Sequence, residues 1–184
     1  MSINMDVRID APGGAPSAFM PADEPPLNKP QPPRTVVHSI MVEFGDCDPA
    51  GIVWYPNFFR WIDAASRNFF LACGVPPWRE LEAINGVLGT PLVDTKSRFV
   101  NTATYGDKLD IHVSVIEWRS KSCVQRYRIE RTEPGQGGQP GASTLIMECE
   151  EVRIFAARRR NAEGGRASGI RAVPIPADIR RMCT

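Results

Sequence analysis

Apolar residues recur with two different periods along this chain, and the change of period predicts where strands and helices lie. In the segment VVHSIMVEF every second residue, from Val36 to Phe44, falls on one face. That alternation is typical of a strand with one buried side. The sequence therefore predicts a first strand that begins near Thr35 and ends before Gly45.

A helical spacing of apolar residues follows this strand. They recur at intervals of four, three and four residues, at Phe58, Ile62, Ala65 and Phe69. Such a stripe lies along one side of a helix and needs a surface to pack against. Pro56 suits the first helical turn and Gly74 suits the position after a helix end, so we predict a helix over residues 56–73. A shorter helix is predicted through PWRELEAIN, ending at Gly86.

From about residue 88 the apolar period returns to two. Strands are predicted over residues 88–100, 108–120, 122–132 and 142–157. The links between them are short, which requires antiparallel pairing because a parallel crossover needs about a dozen residues or more. One strand, a long apolar helix and four antiparallel strands indicate an α+β class in which the sheet covers the helix.

The N-terminal segment has a different composition. Residues 1–34 are rich in Pro, Ala and Gly. A segment of this kind buries too little apolar area to offset the entropy lost on ordering, so we predict a disordered arm. The folded domain is then predicted over residues 35–184.

Bulk properties narrow the range of functions. The chain has 184 residues, enough for one domain, and its net charge of +1 gives no reason to expect a nucleic acid or a membrane as partner. Five cysteines without a CxxC pair fit reduced thiols. The sequence contains no apolar run of the roughly 18–20 residues that span a membrane, and its start does not resemble a signal peptide. We therefore expect a cytoplasmic protein. No metal or other cofactor is expected, because His and Cys lack the spacing of metal ligands.

Two carboxylates stand between the predicted strand end and the predicted helix start, in EFGDCDPAGIVWYPN. A calcium loop of the EF-hand type is excluded, because Ala50 and Asn57 stand where that loop needs Asp or Asn and Glu. A phosphatase-type Asp-x-Asp site would be followed by alternating strands and helices, which the antiparallel strands here do not supply.

Two interpretations of the acidic turn remain. Asp46 and Asp48 can be turn-forming and capping residues, as Asp commonly is. Alternatively, Asp48 is directed by the following Pro49 and lies beside unpaired amides at the helix start, which would stabilise an oxyanion while the carboxylate attacks or activates water. Weaker candidate nucleophiles lack a local partner or lie in strand patterns: Cys47, His38 and His112. The spacing alone leaves both interpretations open.

Longer motifs carry a resemblance to a known family. EFGDCDPAGIVWYPN, RWIDAASRNFF, CGVPPWR, GTPLV, EWRSKSCVQR and EVRIFA occur in this order. From about His38 to the C-terminus the chain closely resembles bacterial 4-hydroxybenzoyl-CoA thioesterases of the hot-dog-fold acyl-CoA thioesterase family. The resemblance implies a hot-dog fold, a five-stranded antiparallel sheet wrapped around a long central helix. It also implies homodimers that join into a tetramer, with active sites at the dimer interface.

The resemblance further implies roles for residues around the acyl group. Asp48 matches the catalytic carboxylate, and the backbone N–H of Tyr55 matches the group that polarises the thioester carbonyl. Asp63 matches an acid on the long helix that accepts the 4-hydroxyl of the substrate ring. Thr90, in the GTP motif, matches a residue that lines the acyl or thioester region from the facing subunit.

A second set of matched residues concerns CoA. Arg119 and Lys121 match a basic cluster that holds the nucleotide phosphates, and Arg171 matches a further phosphate ligand. Ser120 departs from the pattern, because the family often has another arginine there. One phosphate contact is then lost or supplied by another residue.

The function that the resemblance implies is hydrolysis of an aromatic acyl-CoA, in the first place 4-hydroxybenzoyl-CoA to 4-hydroxybenzoate and CoA. One alternative is a thioesterase of broader specificity that acts on benzoyl, other hydroxybenzoyl or aliphatic thioesters. The other is a protein that binds CoA esters without cleaving them.

Overall fold

A computed structural model describes residues 32–133, 141–159 and 169–184 of the chain. The predicted arm over residues 1–34 lies outside these ranges except for its last three residues. In those, the Arg34 guanidinium donates hydrogen bonds of 3.1 Å to the backbone carbonyls of Ala72 and Met182. Most of the predicted EPGQGGQPGA connection also lies outside the described residues.

The described residues form helices and antiparallel strands. The helices are α1 Pro56–Ala72, α2 Trp78–Asn85 and α3 Ala177–Cys183. The strands are β1 Thr35–Met41, β2 Val87–Gly89, β3 Leu92–Phe99, β4 Lys108–Trp118, β5 Ser122–Thr132, β6 Ser143–Ile154, β7 Ala156–Arg158 and β8 Ile170–Ala172. A five-stranded sheet has the order β1-β4-β5-β6-β3, and β2, β7 and β8 form a smaller sheet. The α+β class and the five-stranded antiparallel sheet are confirmed.

Helix α1 packs its predicted apolar stripe into the core. Phe58, Ile62, Ala65 and Phe69 are all buried, and they share one cluster with alternate residues of the sheet such as Ile111 and Ile129. The 3.6-residue period of the helix and the two-residue period of the strands therefore meet in a single apolar layer. The start of α1 contacts the end of β3 through the edge-on rings of Phe58 and Phe99.

Two of the predicted strands are divided between the two sheets. The predicted strand 88–100 is β2 followed by β3, with Thr90 and Pro91 between them. Pro91 has no N–H to donate to a ladder, although its carbonyl accepts one from Ile154 at 3.1 Å. The predicted strand 142–157 likewise divides at Phe155 into β6 and β7. Neither the smaller sheet nor α3 was predicted, because strands of three residues and a helix of two turns carry too little period to detect.

The end of the first predicted strand differs from the expectation. The alternation holds through Val42, which is fully buried, but β1 ends at Met41. Phe44 was expected on the same inward face, and that prediction is wrong because Phe44 begins a 3-10 turn and is 80% exposed. Its ring packs edge-on against Tyr105 instead of the core.

The antiparallel register gives the sheet two distinct ends. At one end Met41 of β1 pairs with Lys108 of β4, and the acidic turn follows directly. At the other end Trp118 pairs with Cys123. These ends are separated by the length of β4, roughly 30 Å for a strand of this size. Helix α1 begins near the first end and ends near the second, where Phe70 packs against Phe155.

Candidate active site

Asp46 holds the acidic turn together. Its Oδ2 accepts the N–H of Glu43 at 2.9 Å, and its Oδ1 accepts a 2.6 Å hydrogen bond from Arg60 on α1. Its backbone carbonyl accepts the N–H of Trp54 at 2.9 Å and the side-chain amide of Asn57 at 2.8 Å. The Asp46 carboxylate is nearly buried, and each of its oxygens accepts a hydrogen bond. The interpretation as a capping and turn-forming residue describes Asp46 well.

Asp48 is bound more lightly in the same turn. Its N–H donates to the carbonyl of Ile52 at 2.8 Å, and its Oδ1 accepts the N–H of Ala50 at 2.8 Å. This contact two residues along the chain is an Asx turn, which fixes the direction of the side chain. Among the described residues nothing donates to Oδ2. The half-buried carboxylate therefore keeps one oxygen available for chemistry.

The start of α1 supplies a free amide. Tyr55 precedes Pro56, which has no N–H, and the amides of Asn57 and Phe58 are bound by the carbonyls of Trp54 and Tyr55. Within the part of the chain that the structure describes, no acceptor takes the N–H of Tyr55. This N–H lies at the positive end of the helix dipole, where an oxygen that gains negative charge is stabilised.

A small hairpin connects Asp48 with the N–H of Tyr55. Cys47 bridges Val53 in antiparallel fashion, and the hydrogen bonds Asp48–Ile52 and Trp54–Asp46 continue the pairing on either side. The hairpin is fixed to the segment before β4, because Ala103 accepts the N–H of Val53 at 2.9 Å and the Thr104 hydroxyl donates to the Gly51 carbonyl at 2.6 Å. Asp48 and Tyr55 consequently lie on the two arms of one anchored turn.

Asp63 lies in a separate cavity of about 290 Å³ beside the middle of α1. Ser66, Thr90, Leu92 and Arg153 also line this cavity. The Asp63 side chain is 64% exposed, and its Oδ1 accepts a 3.1 Å hydrogen bond from Nη1 of Arg153. Thr90 is nearly buried, and its backbone carbonyl accepts a 3.2 Å hydrogen bond from the same Nη1. The structure thus brings two of the predicted residues, Asp63 and Thr90, together.

Arg119 and Lys121 lie in the exposed turn between β4 and β5, at the end of the sheet opposite to the acidic turn. Arg119 makes a two-pronged ion pair with Glu117, with distances of 2.9 and 3.0 Å from Nε and Nη2 to the carboxylate. That pair raises the pKa of Arg119, through the hydrogen bond first and then the charge of Glu117. The positive charge of Arg119 is therefore partly neutralised within the chain.

Arg171 is the third predicted phosphate ligand. It lies on β8 and lines an open cavity of about 610 Å³ with Glu82 and Arg158, which pair with each other at 2.7 Å. Arg119 and Lys121 do not line this cavity. The two segments are nevertheless neighbours, because the Phe155 N–H donates to the Lys121 carbonyl at 2.9 Å and the Ile175 N–H donates to the Ser120 carbonyl at 3.0 Å.

Within one chain the acidic turn lies far from most of the other predicted site residues. Asp48 and Tyr55 lie beyond the β1 end of the sheet, whereas Thr90 precedes β3 at the opposite end, on the side of the Arg119 turn. Asp63 lies between them, about 10 Å along α1 from Pro56 at the usual helical rise.

Two charged residues of this region were missed from the sequence. Glu151 and Arg153 lie on β6 and are both nearly buried, and Nε of Arg153 donates to Oε2 of Glu151 at 2.7 Å. A signal was available, because the alternation of Met147 and Cys149 continues through these two positions and places their side chains on the inward face. Charged residues at predicted inward positions are rare unless paired.

The described residues contain neither a helix long and apolar enough to cross a membrane nor a group of three or more His, Cys, Asp or Glu that could hold a metal ion. All five cysteines are unpaired thiols.

Comparison with known proteins defines the class. Residues 42–182 match the family model of the thioesterase-like superfamily, so this chain belongs to that superfamily. Solved structures of hot-dog thioesterases share its architecture, and the fold is the hot-dog fold predicted from the sequence.

Particular relatives are more similar still. The chain is 46% identical to the 4-hydroxybenzoyl-CoA thioesterase of Pseudomonas sp. strain CBS-3 over 151 residues, which are 82% of this chain and 99% of the relative. The structure of 4-hydroxybenzoyl CoA thioesterase from that strain superposes with a TM-score of 0.71, at 47% identity and with the same coverage. A mutant of 4-hydroxybenzoyl CoA thioesterase in complex with 4-hydroxybenzoyl CoA gives a TM-score of 0.72, at 46% identity over 82% of this chain and 99% of the other. A gentisyl-coenzyme A thioesterase is 28% identical, with a TM-score of 0.60, over 80% of this chain and 98% of the other.

Proposed function

We propose that this protein is an acyl-CoA thioesterase that hydrolyses 4-hydroxybenzoyl-CoA to 4-hydroxybenzoate and CoA. The observation that carries the proposal is the acidic turn, in which Asp48 keeps a free carboxylate oxygen on the same anchored hairpin as the unbound N–H of Tyr55. Identity of 46% across nearly the whole length of a 4-hydroxybenzoyl-CoA thioesterase supports the choice of reaction and acyl group.

Asp48 and Tyr55 have complementary roles in the proposed mechanism. The Tyr55 N–H donates to the thioester carbonyl oxygen and stabilises the negative charge that develops there; one such donor contributes about 3 kcal/mol in other enzymes. Oδ2 of Asp48 attacks the carbonyl carbon, the bond to sulfur breaks, and the CoA thiolate leaves and takes a proton from solvent. Water then hydrolyses the resulting mixed anhydride and regenerates the carboxylate. In the alternative route Asp48 deprotonates the attacking water, and the products are the same.

Asp63 and Thr90 are proposed to bind the acyl group in their shared cavity. An ionised carboxylate only accepts hydrogen bonds, so Asp63 suits the 4-hydroxyl of the ring. Its Oδ2 has no donor among the described residues, and it is therefore available to a ligand. Thr90 lines the same cavity, so it would contact an acyl group bound there.

Arg119, Lys121 and Arg171 are proposed to bind the phosphates of CoA. Phosphate can compete with Glu117 for the Arg119 fork, because charge-assisted bonds to phosphate are strong and Arg119 is exposed. Ser120 offers no charge at the position where the family often has arginine, so the contact that it would supply is proposed to be weaker here.

The proposed active site needs more than one subunit. Within one chain Asp48 lies near one end of the sheet while Thr90 and Arg119 lie at the other end, so a CoA ester would contact both groups most simply when a second copy supplies one of them. Every residue of the edge strand β3 is exposed, and Phe99 and Trp54 add exposed apolar surface near the acidic turn. An exposed edge and apolar rings favour a homodimer, and the family resemblance adds a tetramer of two such dimers.

The oligomer can be tested by mass and by complementation. We expect light scattering to give a dimer or tetramer mass. We also expect an Asp48→Asn subunit mixed with a subunit that carries Arg119→Ala and Lys121→Ala to form one intact site and to recover activity above either variant alone. A monomeric mass with full activity would rule out the shared site.

A cytoplasmic location is part of the proposal, supported by the five unpaired thiols, which fit a reducing compartment.

Thiol release from a panel of CoA esters tests the proposed reaction. We expect the highest kcat/KM for 4-hydroxybenzoyl-CoA, lower values for benzoyl-CoA and the lowest for aliphatic esters. Equal rates across the panel would favour the thioesterase of broader specificity. Binding of CoA esters without release of thiol would favour the non-catalytic CoA-ester-binding protein and overturn the proposal.

A further inference from the structure

Glu151 and Arg153 form a charged pair in the interior of the fold. Their exposed fractions are 2% and 5%, and both side chains point inward from β6. Removing two charges from water is unfavourable, and apolar residues of similar volume would often give equal or higher stability. Stability alone is therefore a weak explanation for this pair.

The contacts of Arg153 connect three parts of the fold. Its Nε is bound to Glu151 at 2.7 Å, and its Nη1 donates to Oδ1 of Asp63 at 3.1 Å and to the carbonyl of Thr90 at 3.2 Å. One rigid guanidinium from β6 therefore fixes a residue on α1 and the link between β2 and β3. The fork geometry of arginine makes such a combination of contacts specific, and lysine does not reproduce it.

In the cluster of Glu151, Arg153 and Asp63 the two buried charges cancel, and the exposed Asp63 carries the remaining negative charge. Burial by itself would lower the pKa of Arg153, but the charge of Glu151 and the hydrogen bonds to Glu151 and Asp63 outweigh burial and raise it, so the guanidinium stays charged. Glu151 balances that positive charge inside the protein. Asp63 is oriented through Oδ1 and keeps Oδ2 and its own negative charge toward the cavity.

A buried layer of neutral polar groups lies close to the pair. Tyr127 and Ser66 both donate to Oε1 of Gln125, at 2.8 and 2.6 Å. Burial raises the pKa of Tyr127, which keeps its hydroxyl neutral. Because Ser66 also lines the cavity and lies on α1 one turn from Asp63, this layer fixes the helix on which Asp63 stands.

We propose that Arg153, held in place by Glu151, is a positioning residue that sets the selectivity of the acyl cavity for rings with a hydrogen-bond donor in the para position. This inference rests on the proposed function, because it needs Asp63 to accept that donor. Arg153 acts through Asp63 and not on the thioester, so its effect is on discrimination between acyl groups. Donor groups such as hydroxyl or amino are favoured, whereas a methoxy group, which only accepts, is not.

The test is the ratio of kcat/KM for 4-hydroxybenzoyl-CoA to that for benzoyl-CoA, measured by thiol release. We expect Arg153→Lys to lower this ratio about 10-fold, because Lys cannot bind Glu151 and Asp63 with one fork. Turnover of benzoyl-CoA should change less than about 3-fold, since Asp48 and Tyr55 are untouched. The matched control is Arg126→Lys, whose arginine on β5 pairs with Glu150 of β6 at 2.9 Å on the exposed face of the sheet. This control should leave the ratio unchanged.

Asp63→Asn provides a coupling test. If Arg153 acts through Asp63, adding Arg153→Lys to Asp63→Asn should lower the ratio by less than about 2-fold further, because coupled residues are not additive. A second variant guards against misfolding, since Arg153→Met combined with Glu151→Gln removes both buried charges together. It should melt within a few degrees of the wild type and show the same reduced ratio.

The outcomes separate the inference from the function on which it rests. Equal losses for both substrates in Arg153→Lys, or additive losses with Asp63→Asn, would show a purely structural role and overturn the inference while the wild type remains an active thioesterase. A wild type that releases no thiol from any ester would overturn the proposed function and the inference together. A lower ratio that comes from a fall in kcat/KM for 4-hydroxybenzoyl-CoA alone, and that is coupled to Asp63, would support both.

Discussion

The acidic turn and the acyl cavity each present one carboxylate to a ligand, but they hold it in different ways. In the turn, Oδ1 of Asp48 is bound by the N–H of Ala50, two residues away along the chain. In the cavity, Oδ1 of Asp63 is bound by Arg153, ninety residues away along the chain. Both carboxylates keep a second oxygen without a donor among the described residues.

In the proposed enzyme the acidic turn carries out the reaction, and the acyl cavity selects the substrate. The turn sets the direction of Asp48 through hydrogen bonds within a hairpin, and the free Tyr55 amide follows in the same short segment. The cavity depends on packing between α1 and β6, because a strand residue must reach across the core to orient a helix residue. We therefore expect changes in the turn to affect the rate with every substrate, and changes in the cavity to affect the choice among substrates.

The largest effect is expected for Asp48→Asn. Asn keeps an oxygen that accepts the Ala50 N–H, so the turn should survive, while the nucleophilic carboxylate is lost. We expect kcat to fall at least about 1000-fold for both 4-hydroxybenzoyl-CoA and benzoyl-CoA. Thiol release measures the rate, and substrate binding and melting temperature serve as controls. A folded variant that keeps most of its kcat would refute the role of Asp48.

The next effect is expected for Asp63→Asn in the cavity. An amide is a weaker acceptor than a carboxylate, and bonds to charged groups contribute about 1.5–3 kcal/mol. We expect kcat/KM for 4-hydroxybenzoyl-CoA to fall roughly 10–100-fold and that for benzoyl-CoA to change little. Steady-state kinetics with the two esters measure this, and equal losses would assign Asp63 a role in folding or in the common step.

A third prediction contrasts the two acids of the turn. Asp46→Ala removes the acceptor for the Glu43 N–H and the partner of Arg60, so the free energy of unfolding should fall by about 1–3 kcal/mol. Urea denaturation measures this. Arg60→Ala is the matched control and should change stability by less than about 1 kcal/mol, because that side chain is mostly exposed. The preference for 4-hydroxybenzoyl-CoA over benzoyl-CoA should be kept in both variants.

The smallest effect is expected at Asp110, a carboxylate on the sheet away from both regions. A hydrogen bond from Ser39 lowers the pKa of Asp110, with a further contribution from Thr132, although burial opposes the shift. Because the folded-state pKa is depressed, the stabilisation is present above the ordinary pKa of about 4 and is lost as the pH falls through the folded-state value.

Ser39→Ala should therefore lower the free energy of unfolding by about 0.5–1 kcal/mol at pH 7 and by less at pH 3. Denaturation at the two pH values measures the difference. Turnover should be unchanged, since Ser39 lies in neither the turn nor the cavity. A loss that is larger at pH 3 than at pH 7 would contradict this sign.

The spacing of apolar residues alone predicted much of the fold. The predicted helix 56–73 is α1 Pro56–Ala72, and the predicted strand 122–132 has the bounds of β5. Prediction was less successful where period carried no information about which sheet a segment joins, as at Pro91 and Phe155. Phe44 was also misplaced, because its apolar character fits the alternation although β1 ends at Met41 and Phe44 begins a 3-10 turn.

The candidate site likewise contains residues that the local sequence predicts and residues that it does not. Asp48 and Tyr55 were predicted from one continuous motif, and in the structure they lie on one anchored turn, where the N–H of Tyr55 has no acceptor among the described residues. Arg153 was not identified, although its motif EVRIFA was noticed, because nothing in the local sequence connects it with Asp63 on α1. The separation of Arg119 from Asp48 at opposite ends of the sheet likewise depends on strand register.

The spacing of residues along the chain was enough to define the central helix, the antiparallel strands and the acidic turn, because each depends on hydrogen bonds or side-chain faces within a few neighbouring residues. The orientation of Asp63 by a buried arginine, the switch of two segments between sheets and the distance between the two halves of the site arise from packing among distant segments. Such contacts depend on how α1 and β6 meet across the core, and that arrangement is a property of the whole folded chain.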